Sequence, residues 1–145
     1  GESVDQVISA AEAMRDRINF IFVVDTLEYL HKGGRIGGAK RYLGAALQIK
    51  PLLEFRNGEI QALEQVRTRK KALSRMLNIA QDRLGDRPMA EATIVDIDCP
   101  TEGDMVAKMV ADRFSPPLLH RSGVSPVVGT HVGPGAIGFA FYAKE

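Results

Sequence analysis

Arg56-Asn57-Gly58 stands between two runs of strand character, Lys50 to Phe55 and Glu59 to Gln65. Asn-Gly tolerates the positive φ angles of a tight turn whose twist matches its flanking strands. It is the strongest short-range signal of a β-hairpin. At least one antiparallel strand pair is therefore specified locally. Elsewhere, strand-like runs alternate with segments of helical period, which predicts crossover connections. A hairpin combined with crossovers points to a mixed sheet.

The remaining elements follow the same logic. Ser3 to Arg17 reads as a helix, because Val4, Val7, Ile8, Ala11 and Met14 recur at helical spacing. Phe20 to Val24 is a short, fully apolar strand. Asp25-Thr26 can cap a short helix, Leu27 to Lys32, which Gly33-Gly34 ends. Lys40 to Leu47 is expected as a further short helix, with small residues from Gly38 to Ala46 permitting close approach. Thr68 starts a long helix, Arg69 to Leu84, with Leu73, Met76, Leu77 and Ala80 on one face and Gly85 closing it. A strand at Ala92 to Ile97 precedes a helix at Thr101 to Asp112, capped by Thr101. Leu118 to Val128 reads as strand material interrupted at Ser122-Gly123, and Ala136 to Ala143 as the last strand. The expected fold is α+β or two-layer α/β, with a mixed sheet of about five to six strands and helices packed on it.

At 145 residues the chain suits one domain spanning 1–145 and can bury a real core. A net charge of +1 argues against bulk electrostatic attraction to nucleic acid or membrane. The one cysteine, Cys99, cannot form an internal disulfide, which fits a reducing, cytoplasmic setting. No apolar run reaches the eighteen or so residues that would span a bilayer. His31, His120 and His131 have no metal-ligand spacing, and no Gly-x-Ser-x-Gly elbow occurs. Asp96 and Asp98 alternate on a strand and share a face, where solvation or capping of the next helix is the ordinary role. Gly33 to Gly38 has the wrong spacing for either nucleotide fingerprint.

Two glycine-rich segments concentrate the chemistry. Leu27-Glu28-Tyr29-Leu30-His31-Lys32-Gly33-Gly34-Arg35-Ile36-Gly37-Gly38 sets one arginine between paired glycines. Its planar guanidinium matches a carboxylate or phosphate. Helix closure explains Gly33 but not the second pair, Gly37-Gly38. Thr130-His131-Val132-Gly133-Pro134-Gly135 reads as a small, rigid loop between apolar runs, presenting an imidazole. A third segment, Val66-Arg67-Thr68-Arg69-Lys70-Lys71, is a basic cluster at a helix start. Basic residues there oppose the helix dipole, so local stability does not explain them. A solvated face and a docking or phosphate-facing patch both remain open.

With Lys50-Pro51-Leu52-Leu53, Asn57-Gly58 and Val66 to Leu73 between them, these segments closely resemble, in order, the motifs of the DegV family. The resemblance runs over residues 20 to 143 and implies a bacterial, cytoplasmic, lipid-binding protein, the acyl-binding subunit of fatty acid kinase. It implies the C-terminal half of such a protein, with residues 1–19 leading in from a missing N-terminal domain. It places Arg35, His131 and Thr130 at a fatty-acid carboxylate, and Gly34, Ile36 and Leu43 along the acyl chain or its loop. It assigns Arg67 to kinase docking or to a phosphate. The implied partners are a long-chain fatty acid, the ATP-binding kinase subunit and the missing domain. No cofactor, metal or nucleic acid is implied, and no catalytic residue. Transient membrane contact is compatible with it, and the mechanism is carriage rather than catalysis. Two rivals stay open: an enzyme using Arg35 and His131 on a small carboxylate or phosphate, and a protein-interaction domain without ligand.

Overall fold

The hairpin forms as expected, closing β2 (Lys50–Arg56) onto β3 (Glu59–Val66). Asn57 has φ 53° and Gly58 φ 78°, the paired positive values of a type I′ turn. In the computed structural model, which describes residues 1–44 and 49–145, this hairpin is one side of a six-stranded mixed sheet. The other strands are β1 (Asn19–Val23), β4 (Met89–Asp96), β5 (Leu118–Gly123) and β6 (Ile137–Ala143). Their order is β3-β2-β1-β6-β4-β5. Neighbours run antiparallel except β4 and β5. Those two are joined by α4 (Pro100–Phe114), the crossover that a parallel pair needs.

From Phe20 onward the central strand β1 is apolar, and its two sides face two separate core clusters. Ile21 and Val23 join Leu52, Ile94, Ile137, Phe139 and Phe141 beneath α4 and α3 (Arg69–Leu84). From α3, Ala72, Leu73, Met76, Leu77, Ala80 and Leu84 enter this core, the stripe its spacing predicts. Phe22 and Val24 point the other way. They pack with Leu27, Leu30, Ile36, Ala39, Leu53, Ile60 and Ala136. That second face is covered at one end by α2 (Glu28–Lys32), a 3-10 helix (Gly37–Tyr42) and α5 (Pro126–Val132). The two-layer expectation thus gains a partial third layer. α1 (Val4–Arg17) buries none of its residues, and Val4, Val7 and Ile8 are exposed. Among the described residues, no helix is long and apolar enough to cross a membrane.

Four local expectations need correction. The helix expected at Lys40 to Leu47 is the 3-10 helix Gly37–Tyr42, and Ala45, Ala46 and Leu47 lie outside the described residues. Gly37 has φ 50°, and a Cβ there would overlap the Ile60 carbonyl. The second glycine pair therefore lets this backbone lie directly on β3. α4 begins at Pro100, with Cys99 rather than Thr101 as its N-cap. Proline suits this first position because the amide it lacks would be unpaired there. Asp98 has φ 54° beyond the end of β4, so it does not share a strand face with Asp96. Asp96 instead accepts from the Cys99 amide at 3.3 Å and from Arg121, the capping role. Finally, the expected strand material ends at Gly123, and Pro126 starts α5.

Two ion pairs tie α3 to the hairpin. Glu54 is 5 % exposed and accepts from Arg83 at 2.6 Å, while Arg56 approaches from the solvent side. Removing one member of a buried pair strands the other charge, at a cost of roughly 3–5 kcal/mol. Urea unfolding is expected to show Arg83→Leu destabilised by about 3 kcal/mol, the low end because Arg83 touches solvent. The double variant Glu54→Leu/Arg83→Leu should recover most of that loss, and Arg56→Ala should cost less than about 1 kcal/mol. The second pair is Glu64 with Arg75. Arg75 donates to the Glu64 carboxylate and holds it below its ordinary pKa of 4.5. A depressed carboxylate stabilises the fold above its unfolded pKa and loses that contribution as pH falls through the folded value. The stability gap between wild type and Glu64→Gln should be full above about pH 5 and close as pH falls below about 4, measured by denaturant midpoints.

Candidate functional site

At the end of α2 the chain reverses through a Schellman motif. The Gly34 amide donates to His31 O at 3.1 Å, and the Arg35 amide to Leu30 O at 2.9 Å. Gly34 takes φ 69°, the left-handed turn that glycine adopts without penalty. Arg35 is thereby fixed by its backbone while its side chain stays exposed. Its Nη1 folds back to donate to Gly33 O at 3.0 Å.

His131 approaches the same glycine from the other side. It occupies the last turn of α5 rather than a loop; the glycine-rich turn begins after it, at Gly133. Pro126 opens this short helix, and the Gly133 amide closes it on Gly129 O at 2.8 Å. Thr130 spends its hydroxyl on Pro126 O at 2.9 Å, within the helix. α2 and α5 then pack through two reciprocal glycine contacts. A Cβ at Gly33 would overlap His131 Nδ1, and one at Gly133 would overlap the Tyr29 ring. Each helix contributes a ring and a glycine that receives the other's ring. Arg35 and His131 therefore share one rim, although 96 positions separate them in sequence. His131 Nδ1 is buried with no hydrogen-bond partner among the described residues. A buried, unpaired ring nitrogen is costly unless something polar reaches it.

Beside this rim lies the uncovered part of the second sheet face. A shallow cavity of about 40 Å3 is walled by Phe20, Phe22, Phe55, Val95, Ile97, Val124, Val128, Val132, Ala136 and Gly138. Gly138 makes room for it, since a Cβ there would strike Phe20 and Val95. Phe22 and Phe55 stack at 5.4 Å between centroids, with Phe20 tilted against both. Phe20 and Phe55 also line a larger groove of about 920 Å3 beneath α1. That volume is the gap left by a helix that buries nothing, and polar groups of Arg15, Asp16, Arg56 and Arg83 border it. Its apolar floor is continuous with the smaller cavity through the two phenylalanines.

The other expected residues are dispersed. Ile36 is 8 % exposed and packs in the core with Leu30 and Leu53; neither it nor Gly34 nor Leu43 borders the apolar cavity. Leu43 is on the surface beyond the 3-10 helix. Arg67 is exposed after β3, with no ion pair among the described residues. Its neighbour Arg69 behaves differently. It grips Glu102 through Nε and Nη2 and donates to Gly135 O. Sequence reasoning put Arg69 in an undivided basic cluster; the signal for its separate role is Glu102, an acid in the first turn of a second helix. The Tyr29 contact and the phenylalanine wall were also missed, because aromatic residues in apolar strands read as core. Cys99 is half-buried, and burial pushes its thiol pKa up, which disfavours the reactive thiolate.

The two glycine contacts differ in a testable way. Gly33 has φ −78°, so Gly33→Ala carries no backbone strain, only the overlap with the His131 ring and a tight 3.1 Å approach to Tyr29 O. Gly133 has φ 84°, so Gly133→Ala adds backbone strain to the overlap with Tyr29. Gly33→Ala should shift the His131 ring resonances strongly while costing less than about 1.5 kcal/mol, whereas Gly133→Ala should cost about 2 kcal/mol or more. Histidine NMR and denaturant unfolding on both variants check this.

The profile of a family described as "Uncharacterised protein, DegV family" matches residues 1–144. A DegV domain-containing protein of Streptomyces coelicolor is 42% identical over 140 residues, which is 95% of this chain and 49% of that protein. Among solved structures, a DegV family protein from Thermus thermophilus, described by its fatty acid binding, superimposes with a TM-score of 0.88 at 29% identity, over 99% of this chain and 52% of its own. DegV of Bacillus subtilis, described as a fatty acid binding protein, gives 0.81 at 31% identity, over 98% and 50%. The chain thus spans about half the length of the relatives it matches. Because the family profile matches residues 1–144, almost the whole sequence, the chain belongs to the DegV family.

Proposed function

We propose that this chain forms one wall of a fatty-acid site and acts as a carrier rather than as an enzyme. The observation that carries the reading is one juxtaposition. An apolar wall of Phe20, Phe22 and Phe55 lies on the sheet face next to α5, whose His131 bears a buried ring nitrogen with no hydrogen-bond partner among the described residues. A fatty acid needs both parts, an apolar surface for its chain and polar donors for its carboxylate. Arg35, on the same rim and bonded among the described residues to Gly33 O, supplies the charge. Thr130 is a neighbouring contact, subject to releasing its bond to Pro126 O. The fatty acid binding by which the Thermus thermophilus and Bacillus subtilis relatives are described supports the same ligand class.

In this reading the acyl chain runs along the phenylalanine wall, and Gly34, Ile36 and Leu43 act on the loop that carries Arg35 rather than lining the cavity. A further domain of the same polypeptide supplies the opposite wall. The carboxylate is presented in the cytoplasm to a separate ATP-using fatty acid kinase subunit, with transient membrane contact for lipid exchange. The acyl phosphate is then released. Arg67, exposed and unpaired among the described residues, faces that kinase or the phosphate. His131 and Arg35 orient the carboxylate and stabilise charge on its phosphorylated form.

Mass spectrometry of bound lipid, with acyl-phosphate formation by the cognate kinase, tests this in the full-length protein. Arg35→Ala and His131→Ala each remove a donor worth roughly 1–3 kcal/mol, about five- to 150-fold. Burial of the chain at about 0.8 kcal/mol per CH₂ should keep lipid bound in both, with phosphorylation reduced more than retention. Arg67→Ala should retain lipid at the wild-type level and lose kinase-dependent product. Wild-type protein that yields no lipid on extraction, or full phosphorylation by His131→Ala, would refute the reading.

A further inference from the structure

We infer that Arg69 is a positioning residue that holds the Gly133–Gly135 turn, and through it the His131 end of α5, at the carboxylate rim. The inference deepens the carrier reading and rests on it for its functional consequence.

The turn has little else to hold it. Gly133 and Gly135 have φ 84° and 80°, and Pro134 between them offers no amide to donate. From the sheet side, the Gly135 amide donates to Ile97 O at 2.7 Å and the Ile97 amide to Ala136 O at 3.0 Å. These bonds tie the turn, on its way from α5 to β6, to the residue that follows β4, but neither engages the Gly135 carbonyl. Arg69 fixes that carbonyl from the helical side of the sheet. Its Nη2 donates to Gly135 O, while Nε and Nη2 hold Glu102 at 3.0 and 2.7 Å. Its side chain is 19 % exposed and that of Glu102 28 %. Only a guanidinium can grip a carboxylate with two nitrogens and still donate to a carbonyl.

The position of Arg69 gives this bond its reach. It is the first residue of α3, and Glu102 lies in the first turn of α4. The pair therefore references the turn to both core helices at once. Gly133 ends α5 and receives the Tyr29 ring, so a displaced turn would disturb the contact that seats His131 against Gly33. An arginine at the first position of α3 also opposes the helix dipole. Glu102 offsets that local cost, and the bond to Gly135 supplies a role that helix stability does not.

Arg69→Gln and Arg69→Lys in the full-length protein test the inference, with Arg75→Gln as control. Arg75 lies on the same helix and also holds a carboxylate, Glu64, but touches nothing on the rim. In lipid-free protein, Arg69→Gln should shift His131 ring resonances and speed exchange of the Gly133 and Gly135 amides at least tenfold, with Arg75→Gln unchanged at both. Arg69→Lys keeps the charge and should restore fold stability but not these rim signals. With ¹³C-carboxyl palmitate as probe, Arg69→Gln should weaken binding about tenfold, and adding His131→Ala should produce no further loss. Wild-type rim signals in Arg69→Gln, or full restoration by Arg69→Lys, would overturn the inference. The lipid-free readouts do so independently of lipid: failure of the wild-type protein to bind palmitate would instead overturn the carrier reading. Should Arg69→Gln fail to fold, Arg69→Lys alone decides.

Discussion

The sheet buries apolar residues on both faces but has helices enough to cover only one of them. α3 and α4 cover the first face, leaving β5 at the edge largely exposed. On the second face, α2, the 3-10 helix and α5 gather at one end, where β1 leaves the sheet. The uncovered remainder carries Phe20 and Phe55, the latter 49 % exposed, in a strand pair that would otherwise be core. Large contiguous apolar surface is uncommon on a monomer unless something covers it. Everything proposed about ligand binding depends on this imbalance between apolar sheet area and helical cover.

The rim at the boundary of the covered end is built for close approach. Four glycines act there in two ways. Gly33 and Gly133 receive rings across the α2–α5 contact, while Gly37 and Gly38 bring the 3-10 helix down onto β3. Helices of five and seven residues cannot hold themselves by internal bonds alone. Their positions come instead from these steric fits and from the Schellman closure at Gly34-Arg35. The result is a rigid seat for the His131 ring against Gly33, with Arg35 beside it bonded through Nη1 to Gly33 O.

The parts of the fold set by local chemistry were readable in the sequence. The Asn57-Gly58 turn, the Thr68 cap with its sixteen-residue helix, and the two-faced apolar strand at Phe20 to Val24 follow from residue type and period alone. The segment from Val124 to Val132 was misread because valines and glycines suggest strands and loops, whereas Pro126 at a first helical position decides otherwise. Thr101 lost the cap of α4 to Cys99 because Pro100 had already fixed the first turn. At the site, Arg35 and His131 stood out through the glycines around them. Ile36, expected along the acyl chain or its loop, packs its side chain into the core with Leu30 and Leu53. Arg69 and Arg67 are two positions apart in one basic run, and only the approach of Glu102, from a distant helix, separates their roles.

That separation bears on how a carrier divides its energy. For a bound fatty acid, chain burial at about 0.8 kcal/mol per CH₂ outweighs any single donor to the carboxylate, at roughly 1–3 kcal/mol. In the proposed site, affinity is thus set mainly by the phenylalanine wall and whatever lies opposite it. The polar rim adds less to holding the lipid than to fixing where its reactive oxygens stand. A rim with that task needs rigidity more than strength. The structure meets the need with ring-on-glycine packing, a closed helix end and an arginine whose own charge is already neutralised by Glu102. Arg35, by contrast, has the Gly33 carbonyl as its one side-chain hydrogen-bond partner among the described residues and no ion pair among them, so its charge is not compensated there. The two arginines differ in what they can do because one is compensated within the fold and the other is not.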